Sequence, residues 1–264
     1  MQIIIPITGY GSRFVAAGYK ELKPFILVQG KPIVQWIVDG MYPDEKNILF
    51  ICREEHLNSI PDMEERLKKI APSARIFAIA EWVKKGPVFD ILRAAPHIDD
   101  NANAIINYCD FYMTWDWQEF KRDVADRACD GAIPCYTGFH PHLLPKKNLY
   151  ASCKIDNKEN LIEVREKFSW TEDKTKTRHS PGVYYFKTGA LLKKYCQKLV
   201  DSNEMINGEY YASLPYNFMV KDGLKVWIPA HVEQFCQWGT PEDMQEYLFW
   251  TECVRTWNNR GAEE

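Results

Sequence analysis

Gln2-Ile3-Ile4-Ile5-Pro6-Ile7-Thr8 followed by Gly9-Tyr10-Gly11-Ser12-Arg13 is an apolar run that stops at a glycine-punctuated polar turn. A short continuous apolar run bounded by a turn reads as a buried strand. Glycine at positions 9 and 11 lets the backbone turn tightly and approach a ligand. Successive N–H groups in such a turn can cradle phosphate oxygens, and Arg13 adds a fixed cation with a fork of donors. Alone, the turn reads first as a plain strand-to-helix junction with surface charges, and only second as a phosphate loop. It is neither a P-loop nor a full G-x-G-x-x-G.

Outward from this run, strands and helices alternate through the first half. Strands are expected at residues 2–7, 47–53, 75–80, 103–109 and 131–136. Apolar residues at helical spacing predict helices over 31–41, 62–71 and 116–128, and Pro87 suits the first turn of a helix over 87–95. Asp116 is read as the cap of its helix. This alternation predicts an α/β protein with a mainly parallel sheet covered by helices. The second half reads differently. Segments 149–155 and 161–166 predict a hairpin, 171–179 a mobile solvated connection or a lid, and 182–186 a tyrosine-rich strand. Helices are expected over 188–200, 209–220 and 241–257, and a strand over 224–229. One continuous domain, 1–264, is the economical reading, with 1–136 as its nucleotide-binding half.

The bulk numbers bound the function. Apolar residues are 46% of 264, enough for a sizeable core, and the net charge of −3 argues against bulk binding to nucleic acid or to an anionic membrane. No signal peptide is read at the start, and no apolar run approaches the roughly 20 residues that span a bilayer. Eight scattered cysteines without a C-x-x-C pair suit a reducing cytoplasm rather than a disulfide scaffold or a zinc site. His140-Pro141-His142 reads as a surface loop.

Gly9-x-Gly11-Ser12-Arg13, then Lys23-Pro24-Phe25-Ile26, then Val28-x-Gly30-Lys31-Pro32-Ile33 resembles the start of the sugar-phosphate nucleotidyltransferases. These are the pyrophosphorylases that make nucleotide sugars, together with their cytidylyltransferase-like relatives. The resemblance implies a Rossmann-like three-layer α/β/α fold of the nucleotide-diphospho-sugar transferase type, with the nucleotide over the carboxyl ends of the strands. It implies that Arg13 and Lys23 are catalytic, and that Thr8, Gly9, Gly11, Ser12 and Arg13 hold the nucleotide. Gly86 and Pro87 would read the base. Thr8 stands where many relatives have alanine.

By the same resemblance Asp110 is the Mg²⁺ ligand at a strand end. Glu166-Lys167 corresponds to an E-K-P motif that meets the acceptor, with Phe168 in place of proline. Gly182 opens a G-[VI]-Y-x-F strand, and Glu209 starts a helix whose glutamate bonds acceptor hydroxyls. Gln237-Trp238-Gly239-Thr240-Pro241 resembles D-x-G-T-P, with neutral Gln237 where relatives place a second metal aspartate. The implied partners are an NTP (CTP, UTP, GTP or dTTP) and a small phosphorylated acceptor: a sugar, polyol, amine or amide phosphate. The implied role is supply of activated precursors for bacterial surface polysaccharide. A glycosyltransferase and a non-catalytic nucleotide-binding regulator are the competing readings; the first usually needs a D-x-D motif that Asp110-Phe111-Tyr112 lacks. Trp250 and Trp257 lie away from the main apolar stripe of the last helix and either meet a second subunit or pack at home.

Overall fold

The apolar run at the start becomes strand β1 (Gln2–Ile7), every residue of which is buried. Its side chains alternate, as a strand requires: Ile3, Ile5 and Ile7 enter one core and Ile4 the other. The computed structural model describes residues 1–261. The other strands of the central sheet are β2 (Ile48–Arg53), β3 (Arg75–Ile79), β4 (Ala104–Asn107), β5 (Gly131–Ala132), β6 (Val183–Phe186) and β7 (Val226–Trp227). Their order across the sheet is β7-β5-β6-β4-β1-β2-β3. All neighbours are parallel except β6, which runs antiparallel to β4 and β5.

Helices cover both faces. One core packs Ile3, Ile5 and Phe50 against Val34, Ile37, Leu67 and Phe120. The other packs Ile4, Leu49 and Ile51 against Val88, Ile91, Leu192 and Met219. The fold is therefore the expected three-layer α/β/α type. Asp116 caps Trp117–Asp126, accepting from the Glu119 amide at 2.7 Å, and Thr188 caps Gly189–Ser202 by accepting from the Leu191 amide. From β1 the chain steps outward to β2 and β3, then returns to β4 on the other side of β1. That reversal opens a crevice at the carboxyl ends of the strands, the usual ligand site of an open α/β sheet.

Several expectations need correction. The helix expected over 209–220 begins only at Pro215 and runs to Lys221. Glu209 is thus no helix start, because the Tyr210 backbone is engaged elsewhere: its N–H donates to Lys85 O and its carbonyl accepts from Val88 N. Segment 171–179 is not irregular throughout. Lys174–Lys176 forms a 3₁₀ turn, and Arg178–His179 adds a third strand to the hairpin of Ser152–Ile155 and Leu161–Arg165. Residues 37–41 are π-helical rather than α-helical. Only Gly131–Ala132 of 131–136 is regular strand, although Ile133 and Cys135 continue bonding to Trp227 and Pro229. The sequence reading missed the Glu54–Ser59 helix. It also missed the antiparallel pair of Phe111–Thr114 with Gln234–Gln237. In the last helix, Pro241–Gly261, Met244, Tyr247 and Leu248 pack on the core, while Val254 is 47% exposed.

Candidate active site

The crevice is a cleft of about 460 Å³ lined by the glycine loop, Lys23, the Gly86-Pro87 turn, Asp110 and Glu209. Gly11 has φ of +60°, and a Cβ there would sit 3.3 Å from Lys23 Cβ, so the loop needs glycine both for its backbone and for close approach. The 3₁₀ turn Lys23–Phe25 brings Lys23 under the loop. Its ammonium donates to Asp110 Oδ2 at 2.8 Å and to the Gly239 carbonyl at 3.2 Å. Asp110 lies in the bend between β4 and Phe111–Thr114. Gly239 arrives because Gln237 is paired with Phe111 across the small two-stranded ribbon. Three segments far apart in sequence thus meet on one cation. Arg13 is exposed at the start of the Ser12–Ala16 helix.

One Asp110 oxygen is engaged by Lys23; among the described residues no donor bonds to the other. Among those residues no three His, Cys, Asp or Glu side chains converge as a metal-ligand group. A single free carboxylate oxygen beside a phosphate-sized loop matches Mg²⁺, which takes one or two carboxylates with phosphate oxygens and water. Gln237 does not line this cleft. It lines a separate cavity beside Asp243, whose carboxyl accepts from the Thr240 hydroxyl at 2.8 Å.

Toward β2 and β3 the cleft wall is aromatic. Tyr10 stands between the two loop glycines, with the guanidinium carbon of Arg53 3.7 Å from its ring centre. Trp82 meets Tyr10 edge-on at 5.2 Å. Asp90, 2% exposed, accepts from the Thr8 hydroxyl at 2.5 Å and from Trp82 Nε1 at 3.0 Å. Burial pushes the Asp90 carboxyl up to about 6, and those two donors limit the rise. Gly86, at φ +89°, is the second place where glycine is needed: a Cβ would sit 2.7 Å from Tyr210 N and 2.9 Å from Tyr210 O.

On the opposite side, Lys84 pairs with Glu209 at 3.0 Å, and Lys167 donates to the Tyr211 hydroxyl at 2.9 Å. Lys167 takes a left-handed backbone (φ 53°), and Asn148 and Ser152 both donate to the Phe168 carbonyl. These bonds hold the turn that a proline would hold in the E-K-P pattern. Half-buried Glu166 accepts from Ser213 Oγ, and burial pushes its carboxyl up to about 7. Tyr211 and Glu209 line the cleft itself; Glu166, Lys167 and Gly182 do not. Gly182 is buried where a Cβ would meet Phe111 and Tyr108, at 3.0 and 3.1 Å.

Sequence reading gave no role to Arg53, Trp82, Asp90 or Tyr108; Tyr10 it placed within the loop, and Tyr211 among aromatics that stack on an acceptor sugar or pack in the core. Only Asp90 left a signal: a carboxylate between Val88 and Ile91, which both face the core.

No protein-family model matches the sequence, and no curated protein matches it. Solved structures do. The chain has the fold of the nucleotide-sugar pyrophosphorylases and related nucleotidyltransferases. It is similar to a nucleoside-diphosphate-sugar pyrophosphorylase from Vibrio cholerae at 18% identity and TM-score 0.73, covering 94% of this chain and 99% of that one. A UDP-glucose pyrophosphorylase complexed with UDP-glucose superposes at 14% identity and TM-score 0.70, covering 96% and 98%. The inositol-1-phosphate CTP transferase from T. maritima gives 14% and 0.68, covering 92% and 90%. At these identities the likeness establishes the fold. No described helix is long and apolar enough to cross a membrane.

Proposed function

We propose that the protein is a nucleotidyltransferase, which moves NMP from an NTP to a small phosphorylated acceptor and releases pyrophosphate. The observation that carries this reading is the convergence of Lys23, Asp110 and the Gly9–Arg13 backbone at one end of the cleft. The fold-level likeness to enzymes named for this chemistry agrees with it. A phosphate monoester of about −1.5 to −2 charge is already a nucleophile, so no general base is required. Its oxygen attacks the α-phosphorus, a new P–O bond forms, and the bond to the bridging oxygen of the β-phosphate breaks. Arg13 and Lys23 meet the triphosphate and its developing charge, and the loop amides align it. Mg²⁺, held by Asp110 and phosphate oxygens, would neutralise charge on the donor. Lys167, with Tyr211, faces the acceptor phosphate, and Glu209 and Glu166 lie on that side. Gly86 and Pro87 lie on the base side. Gln237, whose side chain lies against Gly239 at the cleft, would supply only a weak, neutral carbonyl ligand to the metal.

The finer reading is an acceptor that is a sugar, polyol, amine or amide phosphate, and a cytoplasmic role in supplying surface-polysaccharide precursors. A homodimer through the exposed Trp250 and Trp257 is part of the same reading. The test mixes CTP, UTP, GTP or dTTP with Mg²⁺ and a panel of phosphorylated acceptors and measures pyrophosphate. Release with at least one pair is expected, and Asp110→Asn should abolish it while the protein stays folded. Absence of release from every pair removes the enzyme reading and favours a silent nucleotide-binding regulator. Transfer from a ready-made nucleotide sugar instead favours a glycosyltransferase.

A further inference from the structure

The aromatic wall raises a question that phosphate binding does not answer. Arg53 is a cation only 2% exposed, and its Nη1 has no hydrogen-bond partner among the described residues. Its guanidinium bonds to His56 Nε2, and the carboxylate of Glu55 lies 3.4 Å from Nη1. Desolvating a charge with such sparse compensation is costly. The largest favourable contacts left to it are the ring faces of Tyr10 and Trp82, 3.7 and 4.8 Å from its central carbon.

Tyr10 is anchored from behind and open in front. Arg53 covers one ring face, while the residue as a whole is 53% exposed and lines the cleft. Trp82 abuts the ring edge-on at 80° and is pinned through Asp90 to Thr8. The three anchors come from the carboxyl ends of three adjacent parallel strands. Thr8 follows β1, Arg53 ends β2 and Trp82 lies just past β3. The open face therefore sits on a rigid frame, one residue from each glycine of the phosphate loop, in the cleft that Gly86 and Pro87 also line.

We infer that Tyr10 is a stacking shelf for the nucleobase, held in place by the buried guanidinium of Arg53. This inference rests on the nucleotidyltransferase reading and deepens it. A ring already ordered by a cation loses little entropy when a base settles on it. Every base has a π-face, so the shelf contributes affinity but not base identity. The bland alternative is that Tyr10 only shields Arg53 from water.

The experiment titrates the full chain with each of CTP, UTP, GTP and dTTP in Mg²⁺, and with inorganic tripolyphosphate as the probe without a base. Tyr10→Ala should weaken every NTP that binds by about tenfold, from the usual scale of base–aromatic stacking, and leave tripolyphosphate within about twofold. Tyr10→Phe should keep wild-type affinity. Tyr10→Leu, which retains bulk over Arg53 but no ring, should behave as alanine does. The shelf is overturned if the alanine variant weakens tripolyphosphate as much as NTP, if it weakens neither, or if leucine restores NTP affinity. A wild type that binds tripolyphosphate but no NTP also overturns it. A wild type that binds neither probe removes the nucleotidyltransferase reading itself, and the shelf with it.

Discussion

The two sides of the cleft handle their polar groups in opposite ways. On the loop side, Arg13 is exposed, one Asp110 oxygen has no donor among the described residues, and Tyr10, backed by Arg53 on one ring face, is half exposed to the cleft. Around Glu209 and Tyr211, which also line the cleft, polar groups are paired internally: Glu209 with Lys84, Tyr211 with Lys167 and, away from the cleft lining, Glu166 with Ser213. The loop side is pre-organised with free valences, and a ligand there adds contacts without breaking many. The region around Glu209 and Tyr211 must exchange internal bonds for ligand bonds. Specificity at such a site comes from that exchange, since a ligand that cannot replace the broken bonds leaves buried groups unpaired.

The largest effect expected from breaking this contrast is at Lys23. Lys23→Met removes the cation that joins Asp110 to the loop, and turnover should fall by about 10²–10³-fold, the usual loss of one charge-stabilising donor. The circular-dichroism spectrum should stay native. A loss below about tenfold would show that Lys23 only braces the loop. Gly86→Ala comes next. Its Cβ would meet the Tyr210 backbone and the φ is strained, so about 2–4 kcal/mol of stability should be lost, read by denaturant unfolding. An unchanged unfolding midpoint would show that the Gly86 turn and the Tyr210 segment are not locked together.

The buried carboxyls sharpen the comparison through pH. Asp90 has a raised pKa, so the native state binds more protons than the unfolded chain between about 4 and 6. The stability that Asp90 contributes is therefore fully present below about 4 and is lost as pH rises through about 6. Asp90→Asn should flatten that slope, worth about 2–3 kcal/mol. Glu166, raised to about 7, acts with the same sign over a window that reaches higher, and Glu166→Gln should flatten only the part between about 4.5 and 7. Unfolding free energies measured from pH 4 to 8 separate the two; a slope unchanged in both variants would assign the pH dependence elsewhere. The smallest effect is expected at Tyr211→Phe, which frees Lys167 from its internal bond. The KM for acceptor should shift by about two- to threefold, the scale of one neutral hydrogen bond, while the KM for NTP stays constant. A change in the NTP value instead would place Tyr211 on the donor side.

The parts legible in the sequence are those with a local signature. The apolar run of β1, the glycine turn after it, the helical spacing around Phe120 and Leu192 and the 149–166 hairpin each announce themselves within a dozen residues. So does the cap Asp116, because a cap bonds only two or three positions ahead. Where local reading failed, a distant partner had intervened. The helix expected from Glu209 was displaced because the Tyr210 backbone bonds to Lys85 and Val88. The end of the polar segment 171–179 becomes an edge strand paired with Ser152–Ile155, a partner that periodicity at that point cannot reveal.

The sequence by itself determined the α/β alternation, the phosphate-type loop and its lysine. Only the tertiary structure decided that Lys23 meets Asp110 and Gly239 across separations of 87 and 216 residues. It alone put a buried arginine behind Tyr10, and it left Gln237 outside the cleft. The physical reason is range. Hydrophobic period and capping act between neighbours along the chain, whereas an ion pair or a stacked cation depends on where strands end once the sheet has formed. Returning to the glycine loop, the turn that opened the sequence is one wall of the site, and folding supplied the others.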